Sequence, residues 1–560
     1  MMKPVISIGN QDFKSIRENK CFYVDKTSFI REWWENLDIV TLITRPRRFG
    51  KTLNMSMTEA FFSNQYAGRT DLFEGLSIWE DGKYQELQGS YPTIFLSFAD
   101  IKATTYQSAR TAIIQKLVRL YSTYDFIKKD RLLREADLDY IRSIKIEMTD
   151  ETSAVSINYL CDYLNRCFGK KVLIFLDEYD TPLQEAYING YWKELSEFMR
   201  GLFNSTFKTN PYMERGLLTG ITRVGKESIF SDLNNIEVVT TTSDKYETSF
   251  GFTDQEVENA LKEYGLSDSM EKVKFWYDGF RFGDRNDIYN PWSITKYLDS
   301  GKFDSYWANT SANSLAGKLI REGSPDIKIA MEDLLNGRQI QSAIDEEIVF
   351  SQLDHNSSSI WSLLLASGYL RVEKAPEDGI GGLYSLSLTN LEVKKMFRRM
   401  IHEWFQSPSV RYNDFVKALL NEDVDYMNEF MNQIALQTFS SFDTGKKASE
   451  QAEPERFYHG FLLGLIVDLS DRYRITSNRE SGLGRYDVVL GPIEKGLTAY
   501  VFEFKVRRKH KEANLEETVR NAHKQIEEKG YDQELLNRGI PKGKIRHYGF
   551  AFEGKNVLIG

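Results

Sequence analysis

The chain has 560 residues, too many for one hydrophobic core and suited to roughly three or four domains. Hydrophobic residues make up 41% and charged residues 27%, which excludes bulk disorder and collagen-like repeats. A net charge of −9, from 72 Lys+Arg against 81 Asp+Glu, excludes a bulk polycation, so any polyanionic partner must be held by local features.

Residues 40–44 (Val-Thr-Leu-Ile-Thr) form a short β-branched run that predicts a strand, and residues 51–62 place Leu53, Met57, Ala60 and Phe61 at helical spacing. Further strands are predicted at 93–98, 171–176 and 215–221, separated by helices around 105–122, 155–167 and 191–208. Strands alternating with helices predict a parallel sheet covered on both faces. From about residue 252 the pattern turns helical, with aromatic-rich loops at 276–280 and 289–292. Residues 360–388 read as a helix followed by a hairpin whose tip, 374–382, is rich in Gly. Residues 391–450 read as helical and end in a polar stretch, 444–454, the expected domain boundary. Beyond it come a helix at 455–469, strands at 485–490 and 498–506, a charged helix at 514–529 and a last strand at 547–552. These complete a second α/β unit.

Between the first strand and its helix lies Arg45-Pro46-Arg47-Arg48-Phe49-Gly50-Lys51-Thr52. A loop in that place presents backbone N–H groups to an anion, so Arg47, Arg48, Phe49 and Gly50 would cradle phosphates. Lys51 would reach the terminal phosphates, and the Thr52 hydroxyl would hold Mg²⁺. Arg45 stands where such loops open with Gly, a departure because Gly tolerates positive φ. The structural alternative is a basic turn capping a helix. Asp177 and Glu178 end the third apolar strand, a costly place for carboxylates unless they serve a site. Asp177 would bind the same Mg²⁺, and Glu178 would orient or deprotonate the attacking water. Asp180 reads equally as a helix N-cap. Thr222 and Arg223, after the fourth strand, would lie near the γ-phosphate if that strand adjoins the acidic one; the alternative is a turn with a solvated Arg.

A second constellation is Asp487 with, sixteen residues later, Glu503 and Lys505. Residues i and i+2 share a strand face, and a hairpin brings Asp487 beside them. Two carboxylates and a lysine suffice to hold hydrated Mg²⁺ and place a nucleophile on a phosphodiester. Val501, Phe502, Phe504 and Val506 make the strand apolar on both faces, which argues against a solvated ion pair. Gln525 on the next helix and Tyr531 just after it would touch the nucleic-acid backbone or the water. Glu455 and His459, four apart on the preceding helix, are further candidates for the metal site. Residues 451–560 carry net +3, leaving −12 on the rest, and the run 507–511 puts cations beside the proposed site.

Together these motifs resemble a bacterial architecture in which an AAA-ATPase-like domain precedes a C-terminal PD-(D/E)XK nuclease-superfamily domain. The marks include Tyr23-Val24-Asp25-Lys26-Thr27, the loop 45–52, Leu176-Asp177-Glu178-Tyr179-Asp180, Tyr277-Asp278-Gly279-Phe280, Tyr289-Asn290-Pro291-Trp292, Tyr458-His459-Gly460 and Glu503-Phe504-Lys505. The family's loop itself lacks the first Gly. Tyr486 stands where the Pro that names the nuclease motif would be, a position often not Pro in that superfamily. The resemblance implies an α/β fold: a P-loop NTPase parallel sheet (1–245), a helical lid (246–340), a winged-helix-like and helical middle (341–450) and a restriction-endonuclease-like α/β domain (451–560). The expected function is ATP binding and hydrolysis coupled to a Mg²⁺-dependent nuclease acting on DNA. The alternative is a nucleotide-gated nucleic-acid-binding or signalling switch without cleavage.

No stretch reaches the roughly 18–20 apolar residues that span a bilayer, and the N-terminus lacks the pattern of a secretory signal. Cys21, Cys161 and Cys167 are too few and too badly spaced for a disulfide framework or zinc site. The expected location is the cytoplasm, with nucleic acid as partner, no membrane, and a homo-oligomer allowed.

Overall fold

The apolar runs at the start of the chain form β1 (Val40–Thr44), β2 (Thr93–Ser97), β3 (Val172–Asp177) and β4 (Met213–Gly220), joined by an edge strand, β5 (Ile236–Val239). All pairs are parallel, in the order β2-β3-β4-β1-β5. Every residue of β1 and β3 is buried, as a sheet covered on both faces requires. The sequence does not announce β5, because three of its four residues are only half-buried and Glu237 interrupts its apolar run. Because the sheet is parallel, Thr44, Ser97, Asp177 and Gly220 emerge on one edge, where ligands of such sheets collect.

The structure is a computed structural model describing residues 3–129, 133–224, 229–230, 233–308, 314–322, 325–345, 347–348, 353, 357–376, 382–404, 412–438, 466, 469, 472–477, 480–481, 484–485, 488–494, 496–508, 510–553 and 556–560. They fall into two units, one of residues 1–322 with 333–396, the other of 323–332 with 397–560.

In the first unit the helix Asp150–Phe168 starts earlier than its periodicity suggests, because Thr149 accepts from Thr152 N, and it ends at Gly169 with φ +66°. The helix predicted over 191–208 divides into an α-helix, Trp192–Phe203, and a π-helical turn, Asn204–Lys208. The aromatic segments at 276–292 border a small antiparallel sheet, Phe252–Thr253 with Phe280–Phe282 and Arg285–Tyr289, rather than lying in loops. Strands of two to five residues are too short for their alternation to be legible. Helix Ser357–Ala366 and the pair Leu370–Lys374/Tyr384–Leu388 form the expected helix and hairpin, and Ile340–Ser342 adds a third strand.

In the second unit, helices Tyr412–Leu420 and Val424–Thr438 precede a five-stranded mixed sheet. Its strands are β6 (Tyr473–Ser477), β7 (Val488–Pro492), β8 (Ala499–Val506), β9 (Ile545–Glu553) and β10 (Asn556–Ile559), in that order. Only β8 and β9 run parallel, joined across helix Leu515–Lys529, which Asn514 caps. β8 is buried on both sides: Phe502 and Phe504 pack with Phe415 and Met431, while Val501 packs with Ile526 and Leu535. β6 and β10 are not anticipated. The strand expected from Arg485 is shorter, since Gly484–Arg485 pairs instead with Glu480–Ser481 in a separate ribbon. Among the described residues no helix is long and apolar enough to cross a membrane.

Candidate functional site

Thr44 ends β1 and Gly50, at φ +82°, starts the helix Lys51–Phe62. Arg45 has no need of the missing glycine's conformation, because positive φ falls at Arg48 (+66°) and Gly50 instead. Arg45 is a fully buried strut. Its Nη1 donates to Thr44 O (2.9 Å) and Thr240 O (2.5 Å), and its guanidinium lies 4.5 Å from the Phe282 ring centroid. Phe49 is also buried and packs edge-on against Phe280 and Phe282. The side chains that clamp the loop are thus Arg45 and Phe49, while Arg47, Arg48, Lys51 and Thr52 border the cavity described below.

Lys51 is buried, and its Nζ donates to Arg45 O and Pro46 O, both at 2.9 Å. Burial pushes its pKa down; Glu178, then Asp180 and Asp177, oppose that by favouring the ammonium. Asp177 is wholly buried at the end of β3. Thr52 Oγ1 donates to its Oδ2 at 2.9 Å, Ser97 Oγ to the same oxygen at 3.2 Å, and Thr219 Oγ1 to Oδ1 at 2.7 Å. Desolvation outweighs these bonds and lifts the Asp177 pKa above the usual carboxylate range. Ser97 and Thr219 belong to no motif; the signal they carry in the sequence is a hydroxyl at the carboxyl end of a buried run. Glu178 takes φ +50°, uncommon for a non-glycine residue, and lines the cavity.

Asp180 stands at the N-cap position of helix Thr181–Asn189, but its side chain caps nothing there. Its Oδ2 accepts instead from Ile221 N (2.9 Å), Thr222 N (3.0 Å), Thr222 Oγ1 (3.1 Å) and Gln184 Nε2 (3.0 Å). β4 does lie between β1 and β3, the condition set for a nearby Thr222. Thr222 is nevertheless fully buried, its hydroxyl turned to Asp180. Arg223 belongs to a two-residue strand paired with Glu347–Ile348, and its side chain lies outside what the structure describes.

A cavity of about 520 Å³, within the range of small-ligand sites, opens over the loop. Its lining includes residues 47–52, Glu178 and Thr181, residues 6–11 and 22–24, and Pro291, Trp292 and Thr295. Asp177, Thr52 and Ser97 present only oxygen atoms, a donor set that fits Mg²⁺.

In the second unit, Glu503 and Lys505 lie on one face of β8, and Lys505 Nζ is 3.8 Å from Glu503 Oε1. Gln525 joins them: Lys505 Nζ donates to its Oε1 at 2.6 Å, while its Nε2 donates to Glu503 Oε1 and, at 3.0 Å, to Tyr531 OH. Glu503 is 3% exposed, a depth at which an ionised carboxylate needs cationic or hydrogen-bonding partners. The register of β7 and β8 is described as far as Val488 opposite Phe502. Asp487, Glu455 and His459 lie outside the described residues. In the basic run, Arg507 is committed to the fold, pairing with Glu553 at 2.6 Å and donating to Glu512 O and Ala513 O.

Residues 7–230 match the family model described as "Predicted AAA-ATPase", and residues 453–560 match that of the PD-(D/E)XK nuclease superfamily. A relative described as an uncharacterized protein in the vnfD 5′ region of Azotobacter chroococcum mcd 1 is 24% identical over 563 residues, covering 97% of this chain and 95% of its own. The ORC2 protein of Aeropyrum pernix, solved in ADPNP–ADP complexes, aligns over 71% of this chain and 96% of its own, at 9% identity and a TM-score of 0.23. An AAA-ATPase-like domain and a C-terminal PD-(D/E)XK nuclease-superfamily domain are therefore present in one chain.

Proposed function

We propose, from the presence of these two domains in one chain, that residues 1–245 bind and hydrolyse ATP and that residues 451–560 are a Mg²⁺-dependent nuclease acting on DNA under ATP control. The observation that carries the nucleotide half is the 2.9 Å hydrogen bond from Thr52 Oγ1 to Asp177 Oδ2, beneath a loop that opens on the cavity. A hydroxyl at the head of the helix and an acid at the end of β3 already meet where a phosphate-bound cation would sit. Thr52 and Asp177 would hold Mg²⁺, which when bound neutralises phosphate charge. Lys51 exchanges the carbonyls of Arg45 and Pro46 for phosphate oxygens, and the N–H groups heading the helix bind the same anion. Glu178 orients a water toward the terminal phosphorus and accepts its proton.

The nuclease half is supported by the Glu503–Gln525–Lys505 network, which holds a carboxylate and an ammonium on one strand face. Glu503, with Asp487, would hold Mg²⁺. Lys505, its ammonium steered by Gln525, places the attacking water. The net +3 charge of residues 451–560 favours a polyanionic substrate.

The test uses the full chain with Mg²⁺ and mixed DNA and RNA, with and without ATP. Lys51→Ala removes ATP hydrolysis; Asp487→Ala and Glu503→Ala each remove cleavage and spare ATP hydrolysis. Cleavage that survives both carboxylate changes refutes the nuclease half. Absence of cleavage, together with no calorimetric Mg²⁺ uptake by the second unit, favours the nucleotide-gated switch.

A further inference from the structure

The helix Pro291–Ser300 touches the phosphate loop at two points. Asn290, fully buried, caps this helix by accepting from Trp292 N (2.9 Å) and Ser293 N (3.4 Å), and its Nδ2 donates to Arg47 O at 3.2 Å. Trp292 carries the guanidinium of the next loop residue, Arg48, 4.0 Å from its ring centroid. Lys296, one turn along, stands 5.5 Å from the same ring. The helix is anchored from behind, where Ser293 Oγ donates to Glu392 Oε2 at 2.8 Å and both residues are fully buried. It is therefore a fixed post against which the loop is held.

Arg48 needs such a post. It is an exposed side chain on backbone at φ +66°. A guanidinium stacked on an aromatic face keeps the N–H fork along its edges available for a phosphate, and loses less freedom on binding than a solvated one. Partial burial lowers the Arg48 pKa, and Glu178 acts against that as it does at Lys51. Arg48, Lys51 and Glu178 all line the one cavity, where the terminal phosphate of a nucleoside triphosphate would lie.

We propose that Trp292 is a positioning residue that presents the Arg48 guanidinium to the terminal phosphate, so that the chain tells a nucleoside triphosphate from a diphosphate. This rests on the nucleotide-binding role proposed above. The experiment is calorimetric titration of the full chain, in Mg²⁺, with a non-hydrolysable ATP analogue and with ADP. Trp292→Leu weakens the analogue about tenfold, the loss of one charge-assisted hydrogen bond, and leaves ADP affinity within about twofold. Trp292→Phe recovers most of the loss. Arg48→Ala, at an exposed site, gives the same selective loss, keeps the test usable if the Leu variant fails to fold, and adds nothing when combined with Trp292→Leu. Equal weakening of both nucleotides, or losses at Arg48 and Trp292 that simply add, overturns the proposal and leaves nucleotide binding intact. A wild-type chain that binds neither nucleotide overturns both.

Discussion

Asp177→Asn separates what the proposed nucleotide site does from what it costs the fold. The native carboxyl is wholly buried, and its pKa is raised because desolvation outweighs the donors from Thr219 and Thr52. A group whose folded pKa lies above its unfolded value binds more protons when folded, so the native state loses stability as pH rises through that interval. Above that interval the charged Asp177 is therefore a net liability. Asparagine keeps one oxygen for Thr219 and offers N–H groups to the hydroxyl oxygens of Thr52 and Ser97, so all three contacts survive in altered polarity. Removing a buried charge on these terms is worth about 1 kcal/mol, at the low end of the penalty for an imperfectly compensated buried group. In a domain of this size that raises Tm by about 2–4 °C. The expected result at pH 7.5 is a more stable chain with no ATP hydrolysis, a stability–activity trade-off. The gain shrinks as pH falls and the native carboxyl takes its proton. Thermal unfolding of wild type and variant between pH 5 and 8, beside a phosphate-release assay, measures both. A lower Tm at pH 7.5 would show that the hydroxyl cage compensates the charge in full and would refute the reasoning.

Glu503→Gln leaves the Gln525 contact in place but removes the charge that would hold a cation, so cleavage falls at least about a hundredfold while ATP hydrolysis is unchanged; a gel assay read beside phosphate release decides it. Gly251 has φ +82°, and a Cβ there would stand 2.6 Å from Ile288 Cγ2 and 3.0 Å from the Phe49 ring. Gly251→Ala costs at least about 2 kcal/mol, from the left-handed backbone and the clash, and weakens ATP binding because Phe49 carries the loop; a normal Tm would contradict this. Glu392 has its pKa raised to about 7, chiefly by burial. The native state accordingly loses stability as pH rises from the ordinary carboxylate range to about 7, and Glu392→Gln flattens that slope in pH-dependent unfolding. An unchanged slope would mean that other groups set it.

Local pattern carried a large part of this molecule. β-branched runs, turn residues and helical spacing locate β1 to β4 and the longer helices, such as Lys51–Phe62, Tyr106–Thr123 and Leu515–Lys529, since each reflects a contest between backbone propensity and water that is settled within about ten residues. The same holds for the loop 45–52 and for the acids that end β3: their chemistry is written in consecutive residues. Strands β5, β6 and β10 escaped because short or half-exposed strands exist only by pairing with neighbours distant in the chain.

Which side chain does which work was decided elsewhere. Arg45 stands in the phosphate loop yet serves as a strut, because Thr240 and Phe282, some two hundred residues away, supply its acceptor and its ring. Asp180 follows an acidic pair yet turns to the backbone of Ile221 and Thr222. Ser97, silent in its own segment, joins Asp177 because β2 lies beside β3. Residue types and their spacing determined the chemistry this chain has available. Only the tertiary structure decided its deployment, because a buried charge must be satisfied by whatever the fold brings within about 3 Å.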